Sequence, residues 1–171
     1  MLEALVELIA EQGYARTTVG GIAAKAGVSR TTFYEQFGSK EECFRVAYDT
    51  VVEHLVEAIV AAVGDIKDRR KQMRAGIDAA LRYCAEHPGA AATFIVEVHT
   101  AGPEALEQRY RVHERFCDVI DSYVPDVPPA ASMAVVTSID AMAHNLIRQR
   151  RASELPKLSD DAQYVAEKLL G

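Results

Sequence analysis

Apolar residues recur along this chain at intervals of three and four, and no alternation of Val, Ile or Thr persists beyond a few positions, so the pattern predicts helices throughout. Leu2, Leu5, Val6 and Ile9 form one face of a first helix, with Glu3, Glu7 and Glu11 on the other and Gly13 at its end. Thr17 and Thr18 offer hydroxyls to the free amides of a short second helix, Val19 to Ala26, whose Val19, Ile22, Ala23 and Ala26 turn inward before Gly27 stops it. Ser29 suits the N-cap of a third helix. There Phe33 and Phe37 share a face, Arg30, Thr31, Tyr34 and Gln36 lie outside, and Gly38 closes the segment.

Ser39-Lys40-Glu41-Glu42 fits a capping box, in which Ser39 accepts from the Glu42 amide and the Glu42 carboxylate returns to Ser39. A long helix should follow, carrying Phe44, Ala47, Tyr48, Val51, Val52, Leu55, Ile59 and Val63 as far as Gly64, with the charged stretch Asp65 to Lys71 as a linker. Further helices are predicted at Met73 to Glu86, Ala90 to Thr100, Glu104 to Tyr123, Ala130 to Arg150 and Ser159 to Leu170, parted by His87-Pro88-Gly89, Gly102-Pro103 and the breakers of 124–129. The fold class is all-α.

Composition narrows the function classes. The longest purely apolar run, Ala58 to Val63, is far too short for a bilayer, and no membrane partner is expected. Cys43, Cys84 and Cys117 are odd in number and unpaired in spacing, which suits reduced thiols in a cytoplasmic protein. His113 with Cys117, and His54 with Glu53 or Glu57, supply two ligands each and so make no metal site. No catalytic spacing or phosphate loop occurs, so neither an enzyme nor a cofactor is expected. The formal charge of -6 speaks against nucleic acid until its distribution is considered: within residues 13 to 40, Arg16, Lys25, Arg30 and Lys40 face only Glu35.

In a helix-turn-helix two short helices cross steeply, so the first needs small residues at the crossing and the turn needs glycine. Ala23, Gly27, Val28 and Phe33 occur in that order, and Arg30, Thr31 and Thr32 are suitable for the outward N-terminal positions of a helix entering a groove about 12 Å wide. Thr17-Thr18-Val19, Ile22-Ala23, Ala26-Gly27-Val28-Ser29, Thr32-Phe33-Tyr34, Phe37 and Ser39-Lys40-Glu41-Glu42 resemble the signature of TetR-family repressors. Glu86-His87-Pro88 and Ala101-Gly102-Pro103-Glu104 are similar to many members, less specifically.

The resemblance implies about nine helices, a DNA-binding domain over residues 1–45, a ligand-binding and dimerisation domain over 46–171, and a homodimer on a palindromic operator in double-stranded DNA. It places Arg30 and Thr31 at base edges and Thr18, Tyr34 and Lys40 toward phosphates, with Thr17, Ser29, Thr32 and Gln36 completing the expected DNA set. Three features depart from the pattern. Gly20-Gly21 stands where helix-favouring polar residues are usual, and it either loosens the helix start or permits close approach to the DNA backbone. The chain begins inside the first helix, without the basic arm that often precedes it, which points to modest affinity or a true start upstream. Thr31 stands where glycine is frequent.

The family's members sense small molecules, which makes Tyr83, Phe94, Tyr110, His113 and Phe116 candidates to line an effector pocket, or simply core. Glu97, set among Phe94, Ile95, Val96 and Val98, must find a partner or a proton if buried: it could meet a cationic or hydroxylated ligand, or make a structural hydrogen bond to Tyr or Arg. Met133, Val136, Ile139, Ala143 and Ile147 form a stripe for the dimer interface, completed by Tyr164, Val165 and Leu169. The competing expectation is an effector-independent regulator that binds DNA or a protein through the same fold. Arg148, Arg150 and Arg151 read as compensation for a helix dipole.

Overall fold

The computed structural model describes residues 1–124 and 127–171; Pro125 and Asp126, within the expected breaker stretch, lie outside the described residues. Nine α-helices and several short 3-10 or π turns make up the described residues, with no strand among them. A head is built from α1 (Leu2–Gln12), α2 (Val19–Lys25) and α3 (Arg30–Gln36). Its caps are those the hydroxyls suggest: Thr18 Oγ1 accepts from the Gly21 amide at 3.1 Å and Ser29 Oγ from the Thr32 amide at 3.0 Å. Gly13 and Gly27 take left-handed φ values of 82° and 68°, which turn the chain between helices at no Cβ cost.

The third helix ends at Gln36, two residues before the expected stop, because Phe37 is extended and swings its ring back to 5.4 Å from that of Phe33. Ser39 then starts α4 (Lys40–Val63), accepting from the Glu42 amide at 3.1 Å. The return arm of the capping box lands one residue early, since Glu42 Oε2 accepts from Gly38 N at 2.7 Å and not from Ser39. One apolar face of α4 is continuous: Phe44, Ala47, Tyr48, Val51, Val52 and Leu55 are all buried. Tyr14, after α1, meets Phe44 edge-on at 5.0 Å, and Tyr48 meets Phe94 at 5.4 Å, so the head and the remaining helices share one core.

The body differs from the pattern in three places. First, α5 (Arg69–Glu86) starts four residues before Met73, because Asp68 accepts from the Lys71 amide at 2.8 Å and the charged first turn is solvated and paired outward, Arg70 with Glu167 and Arg74 with Asp160. Second, the helix expected at Ala90 to Thr100 is broken into α6 (Pro88–Ala91), a π turn (Ala92–Val96) and a 3-10 turn (Glu97–His99). Arg109 donates to the Phe94 carbonyl at 3.0 Å, drawing that acceptor out of a regular ladder. Third, α8 (Pro129–Arg148) follows α7 (Pro103–Tyr123) and ends two residues early: Arg150 is left-handed at φ 59°, and the Arg150 and Arg151 amides return to Ile147 and Leu146. A 3-10 segment, Ala152–Leu158, buries Leu155 before α9 (Ser159–Leu170).

Candidate DNA interface and effector cavity

The head presents α3 as its polar outer edge. Phe33 is fully buried and anchors the helix, while Arg30, Thr31, Tyr34 and Gln36 are exposed, Thr32 is half-buried and Ser29 is exposed at the N-cap. Thr18 is exposed as well. Thr17 is not: it is buried, and its hydroxyl donates to the Gly13 carbonyl at 2.9 Å, so its side chain braces the turn after α1 and has no path to DNA. Lys40 is half-buried, its Nζ 3.8 Å from the centre of the Tyr14 ring and donating to the Tyr14 carbonyl at 3.1 Å. Lys25, counted among the head's cations, is instead neutralised by Glu7 at 3.0 Å and Glu11 at 2.7 Å on α1.

Gly20 sits against a long side chain of α3. The Arg30 guanidinium lies across it, and a Cβ there would collide with that group. Gly21 is ordinary by comparison, its hypothetical Cβ meeting Thr18 Oγ1 at 3.4 Å. A side chain at position 20 would turn the arginine tip away from α2.

The body holds a partly open cavity of about 240 Å³ between α4, α5, α7 and α8, with the π turn and the end of α9 completing its wall. Val60, Arg69, Gln72, Val119 and Tyr123 form its more exposed rim, and Cys84, Phe94, His113, Asp140 and Ala143 form its buried floor. Of the residues considered for an effector pocket, Phe94, His113 and Phe116 line it. Three candidates do not. Tyr83 stacks on His87 at 4.7 Å, Tyr110 is 62% exposed on the outer face of α7, and Glu97 faces the head, accepting from the Tyr14 amide at 2.9 Å and from Thr100 Oγ1 at 3.2 Å. The rest of the wall, including Leu55, Ile59, Ile77 and Val135, carries the same helical spacing as core, so nothing in the pattern separates wall from filler.

Behind the floor, at Asp140, lies a polar cluster that the cavity itself barely touches. Arg109 and Asp140, both mostly buried, form an ion pair. Among the described residues the second Asp140 oxygen and the hydroxyl of Tyr48 are buried without partners. Burial, and then the Arg109 charge, lower the His113 pKa below its ordinary value. Burial first, and Asp140 second, push the Cys84 thiol up to about 12. Among the described residues no three His, Cys, Asp or Glu side chains gather as metal ligands.

The stripe expected at the dimer interface is largely spent within the subunit. Val136, Ile139 and Ala143 line the cavity and Ile147 is buried, because α7, α9 and the π turn already pack on that side of α8. Met133 and Val165 are half-buried, while Tyr164 and Leu169 are exposed on α9. The outward face of α8 carries Thr137, Ala141 and Asn145 at four-residue spacing. Arg150, read as dipole compensation for its own helix, reaches α1 instead and donates to the Glu11 carbonyl at 3.3 Å.

Residues 1–47 match the model of the family described as bacterial regulatory proteins, tetR family. These residues thus carry the N-terminal domain of that family. It is 32% identical over 79 residues to the HTH-type transcriptional activator FasR of Mycolicibacterium smegmatis, a stretch covering 46% of this chain and 36% of that protein. The chain thus spans about a third of the length of this curated relative. In fold it resembles the fatty acid degradation regulator FadR from Bacillus halodurans, at 19% identity and a TM-score of 0.86 over 99% of this chain and 92% of that one. It also resembles FadR from Bacillus subtilis in complex with stearoyl-CoA, at 18% identity and a TM-score of 0.83 over 99% and 96%. Both folds agree with the all-α architecture found here. Among the described residues no helix is long and apolar enough to cross a membrane.

Proposed function

We propose that this TetR-family transcriptional regulator is a cytoplasmic repressor, binds a palindromic operator in double-stranded DNA as a homodimer, and lets go when a small apolar effector enters the body. The observation that carries this reading is the pairing of an exposed polar recognition helix with a largely apolar cavity walled partly by α4, the helix that leaves the head. The head comprises residues 1–45 and the body 46–171, with α4 running unbroken across the division. Arg30 donates to guanine at a base edge and Thr31 lies beside it, while Thr18, Tyr34 and Lys40 face phosphates, with Ser29, Thr32 and Gln36 around them. Two parallel bonds from an arginine to guanine O6 and N7 discriminate by about 1 to 3 kcal/mol. The dimer forms through α8 and α9, with Tyr164 and Leu169 outermost. The ligand complex of the similar FadR fold supports a body of this shape as an effector site.

Selection on random duplex DNA at low salt tests the first half and should enrich a palindrome with half-sites about 34 to 36 Å apart. Arg30→Ala should lose the preference for that sequence, whereas Lys40→Ala should weaken all duplexes and flatten the salt dependence by about one charge. Failure to enrich any palindrome would sink the operator reading.

A further inference from the structure

Three helices grade from buried to exposed in the same sense along the cavity. Its wall runs from buried Leu55 to exposed Val60 on α4, from buried Cys84 to exposed Arg69 on α5, and from buried His113 to exposed Tyr123 on α7. The cavity therefore lies lengthwise among the helices, closed at the floor and open at one end. At about 1.5 Å of rise per residue, the wall covers about 12 Å of α4 between Leu55 and Val63 and about 15 Å of α7 between His113 and Tyr123. A volume of about 240 Å³ spread over that length leaves a bore of about 16 to 20 Å², about 4 to 5 Å across. Carbon atoms in contact sit about 3.5 to 4.0 Å apart, so the bore takes carbon atoms in single file, with no room beside them for a ring or a branch.

Gly76, inside α5, belongs to this wall. Glycine in a helix interior is destabilising against alanine, and packing does not demand it here: a Cβ would meet Ile59 Cγ2 and Val63 Cγ2 at 3.6 Å, an ordinary contact. The missing side chain is bore. Among the described residues the cavity surface is almost entirely apolar, and Arg69, Gln72 and Tyr123 stand toward its open end. A hydrocarbon chain advances about 1.3 Å per carbon, so 12 Å holds about nine carbons. At about 30 Å³ each, the space of one water molecule, about 240 Å³ holds about eight. We infer that the cavity measures one unbranched hydrocarbon chain of about eight to ten carbons, which enters tail-first past Gly76, stops against Phe94 and Ala143, and leaves its polar end at the mouth. The inference rests on the cavity being the effector site.

The test is calorimetric titration of the full chain with straight 1-alcohols from hexanol to tetradecanol, and with 2-propylpentan-1-ol, a branched isomer of octanol. Affinity should rise about fourfold per added carbon, the effect of burying one methylene, and level off at about eight to ten carbons, where further carbons stay in water at the mouth. The branched isomer should bind at least about tenfold more weakly than octanol. Ala143→Leu, which fills the floor with three more carbons, should move the break about two to three carbons shorter, and Gly76→Leu should weaken every alcohol by at least about tenfold. Equal binding of octanol and its isomer, affinity still climbing beyond about twelve carbons, or an unmoved break in folded Ala143→Leu overturns the inference and leaves the cavity as an effector site. Unchanged binding by folded Gly76→Leu overturns entry past that glycine and the inference with it. If no alcohol binds, the effector-site reading fails as well.

Discussion

Glu97 in the body accepts a hydrogen bond from the backbone amide of Tyr14 in the head, at 2.9 Å and across 83 residues of sequence. Tyr14 in turn bonds Glu41 through its hydroxyl and Lys40 through its carbonyl, at the first turn of α4. Three residues before Glu97, the Phe94 ring lines the cavity while its carbonyl is held by Arg109, the partner of Asp140. Cavity, π turn and head are thus joined by direct contacts. Glu97→Ala strands a partly buried amide and should lower unfolding stability by about 1 to 3 kcal/mol, whereas Glu97→Gln, which keeps an acceptor, should lose less. Urea unfolding of the two variants would show it, and equal losses would refute the role of the acceptor.

Gly20 and Gly21 should respond oppositely to alanine. Gly21→Ala finds ordinary contact and adds helix propensity, so it should stabilise the head by about 0.5 to 1 kcal/mol. Gly20→Ala must displace the Arg30 guanidinium, and its effect on operator preference should vanish when Arg30 is already alanine. A double-mutant cycle on DNA binding measures that coupling; strict additivity would mean the two positions act independently.

Thiol chemistry should be silent in the folded protein. Burial pushes Cys43 up to about 11 and Cys84 up to about 12, and raises Cys117 as well. Since the thiolate is the reactive form, iodoacetamide near pH 8 should leave Cys43 and Cys84 unmodified until guanidinium is added, when all three should react. Rapid native labelling of Cys84 would show that the cavity floor opens readily.

His99 and His113 are both held below the ordinary histidine value of 6.5, first by burial and then by Arg109. Between the depressed folded value and 6.5 the unfolded chain binds more protons, so stability should fall as pH drops below about 6.5 and level off once the folded histidines protonate. Urea midpoints between about pH 7.5 and pH 5 should trace that decline, with a shallower slope in His113→Leu. A flat profile in the wild type would contradict neutral, desolvated imidazoles.

The head was legible because its punctuation is local: Thr18, Ser29 and Ser39 cap the helices that their hydroxyls announce, and Gly13 and Gly27 turn where they must. The body was legible in outline only. The apolar stripe of α8 announces burial without saying against what, and Val136, Ile139 and Ala143 serve this subunit's own cavity. Tyr83 and Tyr110 lie on amphipathic helices where a small rotation decides between wall and solvent, and spacing does not fix that rotation. Glu97 was recognisable as unusual, yet its partner is a backbone amide, which no residue type marks. Asp140 escaped notice because its partner Arg109 lies on another helix.

The unbroken course of α4 has a mechanical consequence. Its 24 residues, at about 1.5 Å of rise each, make a rod about 36 Å long, with Ser39 at one end and the cavity residue Val63 at the other. A rod of that length pivoting through about 5° sweeps its far end by about 3 Å, close to the separation of successive base pairs along a DNA strand. Under the proposed release mechanism, a pivot of that size centred at the cavity end would carry the head about one rung along the duplex.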